Sequence, residues 1–504
     1  MTIFLSARAR LLSSVCAVLA LTGCTVGPDF STPRTDTPTG FTTAPYTSGD
    51  AVDPAWWTSF NDPELTALET RAVTQNLDLQ IATQRLREAE AEAQMDGAVL
   101  YPSVGAAGSY TRELPSQEGP FALFGSALGA ATDASRTANG GSQSSGGGAI
   151  TISSGALNLY QYGLQAQYDL DLWGKNRRAV EAAVAQARGS AEARRAALLN
   201  VEAAVATTYI QLRGTEAVLG TTNQNLSSAN QLVQLTSERQ QAGLTTALDV
   251  ANAKAQAANI AAQIPALIAQ RDALINQIGL LLGQTPDGLP TDLTTPAAVP
   301  VTPPNVPVGL PSDLLTRRPD VREALDDLHA ATAEIGVAKA QFFPDLSLGA
   351  SASLQALQFS DLNQWKALTY AMGPQLSLPL FQGGALRGQL ALRNAQQQEA
   401  AIGYAKTVLT AFTQVNTALS TYQEEHATQD ALRVDVQQTG IALSLAEDQY
   451  KNGLTDYLTV LTAQQAQLGA QQALAQSQER LGTDLVTLYQ ALGGGWEQTY
   501  PASN

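Results

Sequence analysis

Cysteine is nearly missing from this chain: Cys16 and Cys24 are the only two, both within the first 24 of 504 residues. A disulfide framework and a thiolate metal site are thereby excluded for the body of the protein. Histidine is equally scarce. His329 and His426 lie in different helical segments with no cysteine nearby, and they read as two solvated helix-surface residues. Aromatic residues make up 6% and charged residues 15%, too little for a large aromatic core. The excess of Ala, Gln, Leu and Thr suits long helices packed through small side chains. Basic residues are in deficit, 29 against 45 acids, for a net charge of −16. Phosphate contacts need clustered Lys and Arg, so nucleic acid is not an expected partner. There is also no nucleophile elbow, metal-ligand cluster or phosphate loop, so neither an enzyme nor a bound cofactor is expected.

The opening residues have a distinct layout. Arg8 and Arg10 precede an apolar stretch, Leu11 to Leu21, which Leu21-Thr22-Gly23-Cys24 closes. That stretch is too short to span a membrane and right for a signal peptide. The tetrapeptide resembles the lipobox of bacterial lipoproteins, which makes Cys24 the lipidated mature N-terminus; an ordinary secretory signal with a chance cysteine is the plainer alternative. Several acyl chains on one residue give stable anchoring where one would be marginal. Removal of residues 1–23 takes away Arg8 and Arg10, leaving 27 basic against 45 acidic residues, or −18. Thr25 follows the cysteine, and outer-membrane delivery is the expectation.

The chain is a tandem duplication. Asp78-Leu79 through Tyr101-Pro102-Ser103-Val104 matches Asp320-Val321 through Phe343-Pro344-Asp345-Leu346 at an offset of 242. Gly243-Leu244-Thr245 with Leu248 and Val250 matches Gly453-Leu454-Thr455 with Leu458 and Val460 at an offset of 210. The change of offset points to a first-copy insertion, the Gly/Ser-rich stretch 114–155, which reads as a flexible loop between two strands. The expected division is a signal peptide 1–23, a lipidated segment 24–61, repeat 62–284, a Pro/Thr-rich linker 285–311, repeat 312–496 and a tail 497–504.

Each copy predicts a helix, two strands around a loop, a very long helix and a further helix. Tyr162, Leu164, Ala166, Tyr168, Leu170 and Leu172 alternate with Gln161, Gln165, Gln167, Asp169 and Asp171. Leu346 to Leu354 and Met372 to Leu380 repeat the alternation, and Val104 to Tyr110 shows it most weakly. Period two over about ten residues suits a sheet with one apolar and one wet face, and it matches outer-membrane strands. Residues 121–264 and 380–500 contain no proline. The 68 residues from Gly174 to Gln241 would make roughly 100 Å of helix. Apolar residues at 4,3 spacing (Val201, Val205, Thr208, Leu212, Thr215, Leu219, then Val408, Phe412, Val415, Leu419, Tyr422) favour left-handed coiled-coil pairing. Four strands cannot stand in a bilayer with unpaired edges, so strands in the membrane require more than one chain.

These pieces in order resemble the outer-membrane efflux lipoproteins of the TolC superfamily, the OprM/NodT-like branch serving resistance-nodulation-division pumps. The likeness covers nearly all of the mature sequence. It runs through Cys24-Thr25-Val26-Gly27-Pro28-Asp29-Phe30, Trp56-Trp57-Thr58-Ser59-Phe60-Asn61-Asp62-Pro63, Arg318-Pro319-Asp320-Val321, Phe343-Pro344-Asp345-Leu346 and Leu492-Gly493-Gly494-Gly495-Trp496. The resemblance implies a mainly α fold with a transmembrane β-barrel segment: a homotrimeric α/β-barrel channel with four strands and long coiled-coil helices per protomer. It implies a periplasmic adaptor, an inner-membrane resistance-nodulation-division pump and outer-membrane lipid as partners. It also implies that Gly243, Leu244, Thr245, Gly453, Leu454 and Thr455 form adaptor-docking tips, with Thr245 and Thr455 capping the next helices; a plain hairpin turn is the alternative. Asp249 matches an acidic position that narrows the closed entrance. At the comparable second-copy sites stand Thr459 and Thr462, so the ring holds fewer charges or Asp456 substitutes. Arg239 and Tyr450, one turn before the tips, are candidates to tie helices together; a solvated helix face is the alternative for all four. Asp249→Ala is expected to leave folding intact and raise conductance. A type I protein-secretion channel and a surface-anchored coiled-coil scaffold are the rival readings.

Overall fold

The computed structural model describes residues 25–35, 38, 40, 41, 47, 48, 52–114, 156–285, 293, 295–303, 305–497, 499 and 500. Cys24 and nearly all of the Gly/Ser-rich stretch lie outside them. Seven helices of more than two turns are described: α1 (Pro63–Gln75), α2 (Leu77–Gly97), α3 (Lys175–Gln241), α4 (Ala247–Leu281), α5 (Pro319–Ala340), α6 (Ala385–Lys451) and α7 (Tyr457–Leu492). The four long strands are β1 (Ser103–Glu113), β2 (Leu157–Asp169), β3 (Asp345–Ala356) and β4 (Leu368–Ser377). The duplication is visible in the lengths, since α3 and α6 both have 67 residues. Its copies are not identical: α4 runs through Pro265, whose counterpart at offset 210 is Ala475. Among the described residues no helix is both long and apolar enough to cross a membrane.

The described residues divide into two compact units. One is drawn from residues 25–28, Gln94–Val180 and Glu334–Leu392 and contains the sheet. Its four strands are antiparallel in the order β1-β2-β3-β4. Their register sets Val104 opposite Ala166, Ala166 opposite Ala350, and Ala350 opposite Met372. Directly opposed residues share a face, so Tyr162, Leu164, Tyr168, Leu348, Leu354, Tyr370, Met372 and Leu376 all point the same way. Gln161, Gln165, Gln167, Ser347, Ser351, Ser353, Gln375 and Ser377 point the other way. Strand β2 ends at Asp169, so Leu170 and Leu172 fall outside it, as do Leu378 and Leu380 beyond β4. Asp171 takes a left-handed conformation, and its carboxylate accepts from the backbone N–H of Asn176 and Arg177, ending the strand and starting α3. In the same unit Val26 N–H donates to Trp173 O at 3.0 Å.

The second unit is helical. The 4,3 stripe is its seam: Val201, Val205, Leu212, Val408, Phe412, Val415, Leu419 and Tyr422 are all buried in one apolar core with Trp56, Leu65, Leu68, Leu485 and Tyr489. The signature segments have local reasons. Asp62 caps α1, its Oδ1 accepting from Glu64 N and Leu65 N, while Oδ2 accepts from Tyr209 OH at 2.8 Å. Trp56 stacks on Tyr489 with centroids 5.3 Å apart. Arg318 forks onto Asp320 at 2.9 and 2.6 Å and donates to Ala491 O and Gln414 Oε1, binding three helices at one point. The expected linker is strapped down where it is described. Arg213 Nη1 donates to Thr295 O at 2.9 Å, and Val306–Pro307 pairs in parallel with Thr47–Ser48.

Candidate functional site

The two tips are built alike from the end of one long helix, a glycine and a cap. At the first, Gly243 N–H donates to Gln240 O and Leu244 N–H to Arg239 O at 2.9 and 2.8 Å. At the second, Gly453 N–H donates to Tyr450 O and Leu454 N–H to Gln449 O at 3.0 and 2.8 Å. This double bond pattern closes a helix only when the turn residue is left-handed, and both glycines sit at φ 73°. Leu244 and Leu454 follow directly, 66% and 77% exposed, and Leu248 and Leu458 one turn later are 68% and 62% exposed. Four large apolar side chains therefore stand in solvent at the two turns.

The caps differ from expectation by one residue. Helix α4 is capped by Thr246, not Thr245, and α7 by Asp456, not Thr455. Thr245 and Thr455 instead brace the carboxylate or its counterpart: Thr245 Oγ1 donates to Asp249 Oδ2 at 2.6 Å, and Thr455 Oγ1 to Thr459 Oγ1 at 3.0 Å. In the first copy Thr246 Oγ1 accepts from Asp249 N, and Asp249 Oδ2 accepts from Thr246 N, a reciprocal capping box. In the second copy the two residue types change places. Asp456 Oδ1 accepts from Thr459 N at 3.1 Å and from Thr459 Oγ1 at 2.8 Å. Each turn therefore carries one carboxylate, at the fourth position of the box in one copy and at the cap itself in the other. The signal was legible, because Thr246-Ala247-Leu248-Asp249 has capping-box spacing.

Hydrogen bonds hold both acids below the usual aspartate range. For Asp249 the Thr245 hydroxyl is the main cause, with Thr246 adding to it. For Asp456 the cause is Thr459, opposed in part by the negative charge of Asp249. Thr462 lies exposed and donates to Leu458 O at 2.9 Å. Behind the turns Arg239 Nη1 donates to the carbonyls of Tyr450 and Lys451 at 2.9 and 3.0 Å, so Arg239 and Tyr450 are brought together. Tyr450 and Tyr457 meet edge to face, and Leu232, Ala253, Ala446 and Val460 are buried beneath them. The histidines are not the solvated surface residues expected. His329 stacks on Phe30 with Nε2 2.9 Å from Glu181, and His426 meets Tyr422 edge-on at 4.7 Å.

Comparison with known proteins matches the outer membrane efflux protein family over residues 68–284 and 310–494. The chain is 32% identical over 501 residues to the probable efflux pump outer membrane protein TtgC of Pseudomonas putida, covering 98% of this chain and 97% of that protein. It is 30% identical over 483 residues to nodulation protein T of Rhizobium leguminosarum bv. trifolii, covering 95% and 96%. Among solved structures it superposes on the outer-membrane channel OprN with a TM-score of 0.83 at 30% identity, over 94% of this chain and 100% of that one. The outer membrane protein VceC of Vibrio cholerae gives a TM-score of 0.76 at 30% identity, over 89% and 100%.

Proposed function

The chain belongs to the outer membrane efflux protein family, and from that premise we propose that three copies assemble into one conduit between a periplasmic adaptor and the cell exterior. The protein is an outer-membrane efflux channel that extends into the periplasm, and its relatives are channel proteins. The observation that carries the trimer is the sheet. Its apolar face leaves Leu164, Tyr370, Met372 and Leu376 between 58% and 78% exposed, and among the described residues β1 and β4 are unpaired edges. Lipid has no hydrogen bonds to offer an edge, so the sheet must close with copies of itself. Three copies of four strands give a twelve-stranded barrel, within the range of outer-membrane barrels.

In this reading the Gln- and Ser-lined face borders the water-filled bore, and the bore makes no bond-breaking demand on any residue. The exposed leucines of the Gly-Leu-Thr turns are the adaptor-docking tips, and a resistance-nodulation-division pump supplies the cargo, drugs or other small molecules. Cys24 carries the acyl chains; its neighbours Thr25 and Val26 dock beside Gly174 and Trp173, just past the end of β2. Asp249, Asp456, Arg239 and Tyr450 form the entrance, where rings of acid repeated by the symmetry attract cations.

The test is accumulation of a fluorescent dye in energised cells lacking the gene, with and without its restoration. Dye that builds up without the gene and falls on its return supports the efflux channel. Unchanged accumulation, together with altered secreted proteins, would favour a type I protein-secretion channel instead.

A further inference from the structure

Two carboxyl side chains are enclosed in the apolar core of the helical unit. Glu69 sits on the inward face of α1 among Leu65, Leu68 and Ala72, and Glu202 on α3 between Val201 and Ala203. Both are 0% exposed, and among the described residues none of their four carboxyl oxygens has a hydrogen-bond partner. Gly495 closes the space above Glu202. A Cβ there would overlap Glu202 Oε2 and come within 3.2 Å of Trp56 Nε1, and φ is +131°, so only glycine fits. At offset 210 the second copy has buried Phe412 where the first has Glu202. An apolar side chain thus fills the equivalent position, and packing alone does not call for an acid.

The charges that act on the two acids share their sign. The negative charge of Glu202 acts on Glu69 of α1, and that of Glu497, in the C-terminal turn, acts on Glu202. Glu497 is itself engaged by Arg317 at 3.3 Å and by Gly495 N–H at 3.0 Å. Tyr489 of α7 and Trp56 bring no charge at neutral pH. An ionised carboxylate cannot rest in such surroundings, and a buried acid without a cation keeps its proton instead.

We propose that Glu69 and Glu202 are a proton-bearing pair that ties the stability of the helical unit to pH, deprotonation loosening the seam of α1, α3 and the Gly493–Trp496 turn. Burial pushes both acids up, Glu69 well above 4.5 and Glu202 to about 8, with each acid's acidic neighbour adding to it. A folded value above the unfolded one means that the folded state holds more protons. The stabilisation is therefore complete below 4.5 and is lost as pH rises through the folded values.

The experiment follows the helical circular-dichroism signal of the full-length protein in detergent micelles on heating, in buffers from below 4.5 to above 8. Wild type, Glu69→Gln, Glu202→Gln and the double variant are compared. The wild-type midpoint is expected to drop across that window, and the double variant to lose most of the drop. Independently of any variant's folding, the infrared spectrum of the wild type at neutral pH should contain a protonated-carboxyl band that vanishes in alkali. Equal pH slopes in wild type and double variant, or no such band, overturn the proposal. A wild-type midpoint lowered by chelating divalent cations also overturns it, in favour of a cation held between the two acids.

Discussion

The guanidinium carbon of Arg239 lies 4.7 Å from the ring centroid of Tyr450, while its Nη1 donates to the Tyr450 carbonyl at 2.9 Å. One side chain from the last turn of α3 therefore both stacks on and caps the last turn of α6. At a helix C-terminus a cation also meets the favourable end of the macrodipole. Replacing Arg239 by Ala removes the stacking and leaves the carbonyls to water. It should loosen the tips by roughly 1–3 kcal/mol and raise single-channel conductance in planar bilayers. Wild-type conductance in Arg239→Ala would remove Arg239 from the entrance.

The capping carboxylates make the tips sensitive to acid. Asp249 and Asp456 titrate below the ordinary aspartate value of 3.8 because the folded turns donate hydrogen bonds to them. Stability from a depressed carboxyl is present above 3.8 and lost as pH falls through the folded value. Amide protection factors (exchange relative to the intrinsic rate at each pH) in the first turns of α4 and α7 are expected to fall in acid, and Asp249→Asn and Asp456→Asn should show that lower protection already at neutral pH. Asp249→Ala, which also breaks the reciprocal bond to Thr246, should loosen the turn locally while the rest of the chain folds. Its conductance should rise, and a value unchanged from wild type would count against an acidic entrance.

Leu244 and Leu454 are 66% and 77% exposed at the turns and join no apolar cluster among the described residues. Leu244→Asp with Leu454→Asp should change stability by no more than about 0.5 kcal/mol, as for other surface positions. Dye accumulation should nevertheless rise to the level of the deletion strain if these side chains seat the adaptor. Full efflux from a normally assembled double variant would refute the docking assignment.

The two faces of the sheet should respond oppositely to charge. Met372→Lys puts an ammonium on the apolar face and should cost about 2–4 kcal/mol near the middle of the bilayer. Gln375→Lys, on the wet face, should assemble normally and shift the ion selectivity of the pore toward anions. The amount of assembled protein in outer-membrane fractions reads the first effect and reversal potentials the second. Equal assembly of both variants would argue against a lipid-facing surface.

Lipidation is testable directly. Labelled palmitate should enter the wild-type protein and not Cys24→Ser. Equal labelling of both would move the anchor elsewhere.

Much of this protein was readable residue by residue. Period-two alternation marked β2, β3 and β4, because a strand's side chains alternate faces whatever its neighbours are. The weaker pattern at Val104 to Tyr110 also proved to be a strand, β1. The buried stripe from Val201 to Leu212 followed from 4,3 spacing, and the repeat of Gly-Leu-Thr located both turns. The caps were misplaced by one residue, although Thr246 and Asp249 stand at the spacing that a capping box requires. The histidines were read as solvated because Phe30 and Tyr422, the rings they pack on, are not recognisable as partners before the helices meet.

The sequence by itself determined the duplication, the strand faces, the length of the first long helix and the acidic balance, since each is a local or periodic property of the chain. Only the tertiary structure decided the pairings across long separations. It set the register that gathers Val104, Ala166, Ala350 and Met372 on one face, and it brought Arg239 to Tyr450, 211 residues away. It also enclosed Glu69 and Glu202 in an apolar core. The reason is physical: a residue's period records which way it faces, but what it faces depends on how distant segments pack, and burial is a property of that packing.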